Sequence, residues 1–364
     1  MTRWVGMSSP ASRSTSDPIG RAIDCGGLLG ARRFLLCGAS GTFGAVERLQ
    51  ELERQAETGA ADARFALGVE LLSGDDPAQH FKRAIALIEG ASADGHAPAT
   101  ELCAVFEAMG VARPQSWERA FDRLLDAALQ GSGTARGQLQ VLARDHGEPA
   151  SLRSAIDLPG LLSCPDRASL SDSPRIRTID GFATPGECRW LTERARTRLR
   201  PATIIAPDGM QALDPGRSNT GTEFQVLDMD VVLEIIRARI SAATKLPVPL
   251  FEWTQVLRYE VGQEFKPHHD FLDPSNLAYG DQARFGQRIA TFLIYLNDDF
   301  EGGETDFPKA EVRYRGRAGD AIFFANVDRA GKPDPLTLHA GLPPTSGEKW
   351  ILSQWIRDRA GSPA

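Results

Sequence analysis

The stretch Lys266–Asp270 reads KPHHD, and His339 follows about seventy residues later with GEKW (Gly347–Trp350) just beyond it. Side chains on a β-strand alternate in direction, so His268 and Asp270 are expected to share one face and His269 to take the other. Four flanking segments read as strands: TQVLRY (Thr254–Tyr259), RIATFLIYL (Arg288–Leu296), AIFF (Ala321–Phe324) and KWILSQWI (Lys349–Ile356). Each is rich in β-branched and aromatic residues, and Gly and Pro punctuate the intervals between them. Such segments assemble into a β-sandwich or jelly roll, an architecture whose mouth commonly holds a metal or ligand.

Two imidazoles and one carboxylate on one side of a metal ion leave its opposite side open, the donor set of non-haem Fe(II) oxygenases. A His-x-Asp pair taken alone is weak, because three residues recur by chance. Its context is specific. RYEVGQEFKPHHDF, RIATFLIYLNDDFEGGETDFP, GRAGDAIFF and LHAGLPPTSGEKWILSQWI occur in that order from Arg258 to Ile356. Together they resemble the catalytic domain of prolyl 4-hydroxylase-like dioxygenases that depend on Fe(II) and 2-oxoglutarate, over about Pro174 to Arg359.

The resemblance implies a C-terminal double-stranded β-helix with flanking helices. It implies iron ligands at His268, Asp270 and His339, and at Lys349 a lysine that pairs with the distal carboxylate of 2-oxoglutarate. Tyr259 and Thr291 fall where the family lines the cosubstrate pocket. The implied cofactors are Fe(II), 2-oxoglutarate and dioxygen, with ascorbate as auxiliary reductant. The implied reaction is hydroxylation of a peptidyl residue, prolyl 4-hydroxylation above all, coupled to decarboxylation of 2-oxoglutarate to succinate. A free amino acid or other small molecule is the alternative substrate, and a repeat-based adaptor with an inactive barrel is the reading outside the enzyme class.

The chain has 364 residues and 42% hydrophobic content, enough for two or three domains with sizeable cores. Its formal net charge of −7 argues against coating nucleic acid or an anionic membrane. The acidity is concentrated in residues 46–172, which hold 12 basic and 20 acidic side chains. No apolar run approaches the roughly 18 residues of a membrane span. The five cysteines lack metal-type spacing, and their odd number fits reduced thiols in a cytoplasmic compartment.

Residues 1–45 begin Ser- and Arg-rich and are expected to be a disordered tail or the product of a misassigned start. Gly38, Gly41 and Gly44 imitate a dinucleotide-binding turn, but no second strand with an acidic residue follows, so nucleotide binding is not expected. From 46 to 145 the chain repeats with a step of 36: Gly59, Gly95 and Gly131; Ala63, Ala99 and Ala135; Leu67, Cys103 and Leu139. That period predicts stacked helical hairpins resembling Sel-like repeats of the tetratricopeptide class. Such an array is a candidate dock for a peptide or protein substrate, its acidity favouring a basic one, or a packing support for the enzyme domain. The histidines His80, His96 and His146 have no ligand spacing and read as structural or surface residues.

Residues 146–173 mix Pro, Ser and Asp and are expected to be a linker whose apolar piece IDLPGLL (Ile156–Leu162) is free to pack on either neighbour, followed by the dioxygenase domain over 174–360. Thr184, Pro185 and Glu187 have the spacing of N-cap, N1 and N3, predicting a helix that packs outside the barrel. A second helix is predicted over Val231–Thr244. Two polar loops, Pro207–Phe224 and Phe271–Arg288, flank the His-x-Asp segment and are candidates for substrate contact. Gly302 and Gly303 are expected to serve a tight turn.

Overall fold

The computed structural model describes residues 41–74, 76–205, 211–273 and 286–360. Residues 1–40 of the expected tail lie outside the described residues, and Gly41 already opens a helix that takes in Gly44. Parts of both candidate loops, 206–210 and 274–285, also lie outside them.

Eight helices come first: α1 (Gly41–Glu57), α2 (Ala61–Ser73), α3 (Pro77–Ala93), α4 (Ala97–Met109), α5 (Trp117–Leu129), α6 (Gly133–Ala143), α7 (Pro149–Ala155) and α8 (Leu158–Leu162). Residues separated by 36 occupy equivalent places in this region. Gly59, Gly95 and Gly131 turn the chain before α2, α4 and α6 with φ of 90°, 83° and 97°, a left-handed region that costs glycine little. The step-related Ala63, Ala99 and Ala135 are all buried, as are Leu67, Cys103 and Leu139, so the small residues let the helices approach and the larger ones fill the seam. His96 caps α4 through Nδ1 and pairs with Asp62 through Nε2, a structural use of that imidazole.

The stretch expected as a linker is largely structured. It contains α7 and α8, whose Leu152 and Leu161 are buried, and then strand β1 (Ala168–Asp172). The apolar residues of these short helices decide the outcome, since Leu161 buries more surface against a neighbouring helix than a solvated linker would allow.

The remaining strands are β2 (Arg175–Ile179), β3 (Arg200–Pro201), β4 (Ile204–Ile205), β5 (Gln211–Ala212), β6 (Thr220–Phe224), β7 (Thr254–Tyr259), β8 (Phe265–His268) and β9 (Arg288–Tyr295), then β10 (Glu301–Gly302), β11 (Thr305–Phe307), β12 (Val312–Tyr314), β13 (Ala321–Ala325), β14 (His339–Gly341), β15 (Pro344–Ser346) and β16 (Lys349–Arg357). A large sheet runs β1-β2-β13-β9-β16-β7-β6-β3, and a second runs β12-β11-β14-β8. Neighbouring strands in both pair antiparallel. The barrel expectation therefore takes the form of two facing antiparallel sheets.

Helices α9 (Pro185–Arg196) and α10 (Val231–Thr244) cover the outer face of the large sheet. Thr184 and Glu187 form the anticipated capping box on α9. Strand alternation sorts the large sheet: Val256, Phe292, Ile294, Leu352 and Ile356 join the core beneath the helices, whereas Leu257, Leu293, Tyr295 and Ile351 face the smaller sheet.

The helical array and the outer face of the sheet share one continuous core. Gln138 of α6 accepts a hydrogen bond from the backbone N–H of Val231 at 2.9 Å and so caps α10 from outside its own segment. A Cβ on Gly137 would come within 2.8 Å of the Trp190 ring, which shows how closely α6 and α9 approach. Arg239 of α10 is buried and makes a two-pronged bond to Glu187 at 2.8 and 3.0 Å, and it also donates to the carbonyls of Leu161 and Phe182. Among the described residues no helix is long and apolar enough to cross a membrane.

Candidate metal centre

His268 ends β8, and the antiparallel register of β8 with β14 sets it opposite His339. The two rings lie 4.3 Å apart between centroids. Asp270 does not sit on a strand as the alternation argument expected: β8 stops at His268 and the chain turns, carrying the carboxylate back toward both imidazoles. Its Oδ1 lies 3.5 Å from Nε2 of His268 and its Oδ2 3.5 Å from Nε2 of His339. One donor atom from each residue falls within 4.8 Å of the other two, the only such group of three or more among the described residues. His269 is directed away, with Nε2 3.3 Å from the carbonyl of Pro335.

Both imidazoles are held by their other nitrogen, Nδ1 of His268 on the Lys266 carbonyl at 2.8 Å and Nδ1 of His339 on the Thr337 carbonyl at 2.9 Å. With Nδ1 donating, Nε2 keeps its lone pair for a metal. Burial and the neighbouring His268 push the His339 imidazole down to about 4, so it is neutral near pH 7. Burial alone would raise Asp270, but the neighbouring His339 and His268 and the Thr291 hydroxyl outweigh it and hold the carboxyl well below its ordinary range. A neutral His339 imidazole and an ionised Asp270 carboxylate are the protonation states that a divalent cation needs of those two groups.

The three residues open onto a cavity also lined by Arg217, Tyr259 and Lys349. Lys349 begins β16, opposite Tyr259 of β7, and is fully buried. Its Nζ has no hydrogen-bond partner among the described residues, and it lies 5.2 and 5.3 Å from the ring centroids of Tyr259 and Tyr295. Burial pushes its amine down to about 7. A buried cation without a partner is expensive, and an anion entering the cavity would satisfy it. Gly303, expected only to make a turn, takes φ of 69° and also lies beside this lysine: a Cβ there would come within 3.3 Å of Lys349 Cδ.

Thr291 is buried and donates to Asp270 at 2.6 Å, so its contact is with a proposed ligand. Burial raises the Tyr259 phenol to about 12, leaving it a neutral hydrogen-bonding group. Arg217, in the Pro207–Phe224 loop expected to contact substrate, also lines the cavity, as do Thr305 and Trp355, which sequence reasoning missed. Arg217 comes from the polar Gly-Arg-Ser-Asn turn and lies over Phe265, 4.7 Å from the ring centroid, while Phe265 stacks on His268 at 3.5 Å. The available signal for Thr305 and Trp355 was parity: Trp355 shares a face with Lys349, and Thr305 opens the short strand after the Gly pair.

The donor set and the buried amine fit a divalent metal beside a small anionic ligand. The 2OG-Fe(II) oxygenase superfamily matches residues 254–357. Prolyl 4-hydroxylase 1 of Arabidopsis thaliana is 36% identical over 209 residues, covering 53% of this chain and 72% of that protein. Prolyl 4-hydroxylase 5 of the same plant is 36% identical over 208 residues, covering 51% and 69%. The viral collagen prolyl hydroxylase of Paramecium Bursaria Chlorella virus-1, solved with 2OG, has 31% identity over 52% of this chain and 98% of its own, with a TM-score of 0.39. The chain belongs to the prolyl 4-hydroxylase family of 2OG-Fe(II) oxygenases. Fe(II) and 2-oxoglutarate are its cofactors, and it is an oxidoreductase of the dioxygenase type.

Proposed function

We propose that this protein hydroxylates a prolyl residue of a peptide or protein substrate, with Fe(II) held by His268, Asp270 and His339 and the distal carboxylate of 2-oxoglutarate held by Lys349. The observation that carries this reading is the unpartnered Lys349 amine, buried in the same cavity as the three-donor group. When bound, iron and 2-oxoglutarate supply the oxidising chemistry, consuming dioxygen and releasing succinate and carbon dioxide, with ascorbate as auxiliary reductant.

The chain's own residues place and protect. Lys349 gives a charge-assisted hydrogen bond to the cosubstrate, its amine set beside the rings of the buried Tyr259 and Tyr295. Leu257, Leu293 and Ile351 keep water from the inner wall. The backbone carbonyls of Lys266 and Thr337 hold both imidazoles in the metal-binding tautomer. Proline as the target is supported by the identity to plant prolyl 4-hydroxylases. Incubation with a proline-containing peptide, Fe(II), 2-oxoglutarate and ascorbate in air should add one oxygen mass to a proline. Succinate release with oxygen appearing only on a free small molecule would replace the peptide assignment.

Docking of a basic substrate on the acidic helical array is the finer part of the proposal. The array packs on the outer face of the large sheet and the cavity lies on its inner face, so a docked chain must pass around a sheet edge. Replacing the exposed acids Glu51 and Glu57 of α1 by Gln should raise KM for a long basic substrate and leave a short peptide unaffected; equal KM for the long substrate would remove the docking role.

A further inference from the structure

We infer that Thr291 and Asn326 form a positioning relay that orients the Asp270 carboxylate and ties it to the segment carrying His339, thereby setting the affinity of the site for its metal; the inference rests on the metal-centre reading above. All three side chains are buried: Asn326 is 0% exposed, Thr291 1% and Asp270 4%. Thr291 Oγ1 lies 2.6 Å from Asp270 Oδ2, and Asn326 Nδ2 lies 3.0 Å from Thr291 Oγ1.

The hydrogens can be counted. An ionised carboxylate only accepts, so the single Thr291 hydroxyl hydrogen goes to Asp270. The Thr291 oxygen then has lone pairs alone to offer Asn326, which must present its NH₂. A flipped amide would set two acceptors against each other. The polarity of the chain is therefore fixed, from the Asn326 N–H to the Thr291 hydroxyl to the Asp270 carboxylate. At the opposite end of the amide Asn326 Oδ1 is buried with no partner among the described residues, so the orientation rests on the hydroxyl alone. The fold tolerates that unmet acceptor while the amide nitrogen is engaged with the hydroxyl.

The backbone of Asn326 supplies the second half of the link. Its N–H donates to the carbonyl of Ile289 in β9 at 2.9 Å, and its carbonyl accepts from the Asp334 N–H at 3.0 Å. Asp334 caps the short turn Pro335–Thr337 through Leu336, and the Thr337 carbonyl holds Nδ1 of His339. One residue thus steadies one ligand through its side chain and the approach to another through its main chain. Outer hydrogen bonds of this kind commonly change metal affinity by roughly 10–100-fold when removed.

The test is Mn(II) affinity measured by equilibrium dialysis on the full chain, with no turnover involved. Wild-type protein should bind one Mn(II), and D270N should not; failure of either result removes the metal-centre reading itself. Given that binding, Thr291→Val, which keeps shape and removes the donor, should weaken Mn(II) about tenfold, whereas Thr291→Ser should restore affinity to within about twofold. Asn326→Ala should weaken binding in the wild-type background and add nothing in the Thr291→Val background, because the relay has already been cut. Unchanged affinity in Thr291→Val, no recovery with Ser, or additive losses in the double variant would overturn the relay and leave a packing role.

Discussion

On the outer face of the large sheet, Arg239 is buried against Glu187 and two backbone carbonyls, with four hydrogen bonds of 2.7 to 3.0 Å. On the inner face Lys349 is as deeply buried and has no hydrogen bond among the described residues. Both are cations removed from water within one fold, and the difference between them is the presence of a partner. The satisfied charge joins α8, α9 and α10 into one body. On the proposed function the unsatisfied one is where the cosubstrate supplies the missing half, because burying an unpaired charge costs more than structure alone can repay.

The comparison breaks most directly at the metal ligands. His268→Ala should reduce succinate release in air to background, while the outer-face charge pair and the fold remain; a variant retaining wild-type turnover would detach the inner face from chemistry. Glu187→Ala should act on the other side, leaving Arg239 buried and unpaired and costing about 3–5 kcal/mol of stability by denaturant titration. KM for 2-oxoglutarate in the surviving folded protein should not change.

Lys349→Met sharpens the contrast because removing this charge should stabilise the cosubstrate-free fold. The folded amine titrates at about 7 and the ordinary lysine at 10.5, so in that window the unfolded chain binds the extra proton and stability rises with pH. Below pH 7 both states are protonated and the burial penalty is at its fullest; above 10.5 it is gone. The gain in Tm from Lys349→Met should therefore be largest at pH 7 and below and shrink toward pH 10. A gain that did not depend on pH would assign it to packing.

The smallest effect belongs to the junction between helices and sheet. Gln138→Ala removes the cap that α6 lends to α10 and should cost about 1 kcal/mol, a fall of a few degrees in Tm, with KM and kcat unchanged. A change in KM of the same variant would connect the array to the cavity.

The residues of the site were legible because their chemistry and order are restrictive: two His, an Asp and a Lys on separate segments leave few alternatives once the strands between them are read. The place of Asp270 was not legible, since alternation holds only while a strand lasts and β8 ends at His268. Arg217 was legible only as part of a loop expected to contact substrate, because its turn reads as polar and exposed; its bridge to Phe265 brings it over the cavity. The helical period revealed hairpins through the small residues at each turn. It did not reveal the shared core, because periodicity tells which side of a helix is apolar and not what covers it. For the same reason 146–173 read as a linker with only IDLPGLL free to pack, although Leu152 is buried as well as Leu161.

The measurement that bears most directly on the account is 2-oxoglutarate binding to anaerobic, Fe(II)-loaded protein, compared between wild type and Lys349→Met at pH 7. The account predicts one 2-oxoglutarate per chain for wild type, and for the variant full iron occupancy with cosubstrate affinity lower by at least about tenfold, the loss of one buried charge-assisted hydrogen bond. Equal affinity in the two proteins would contradict it.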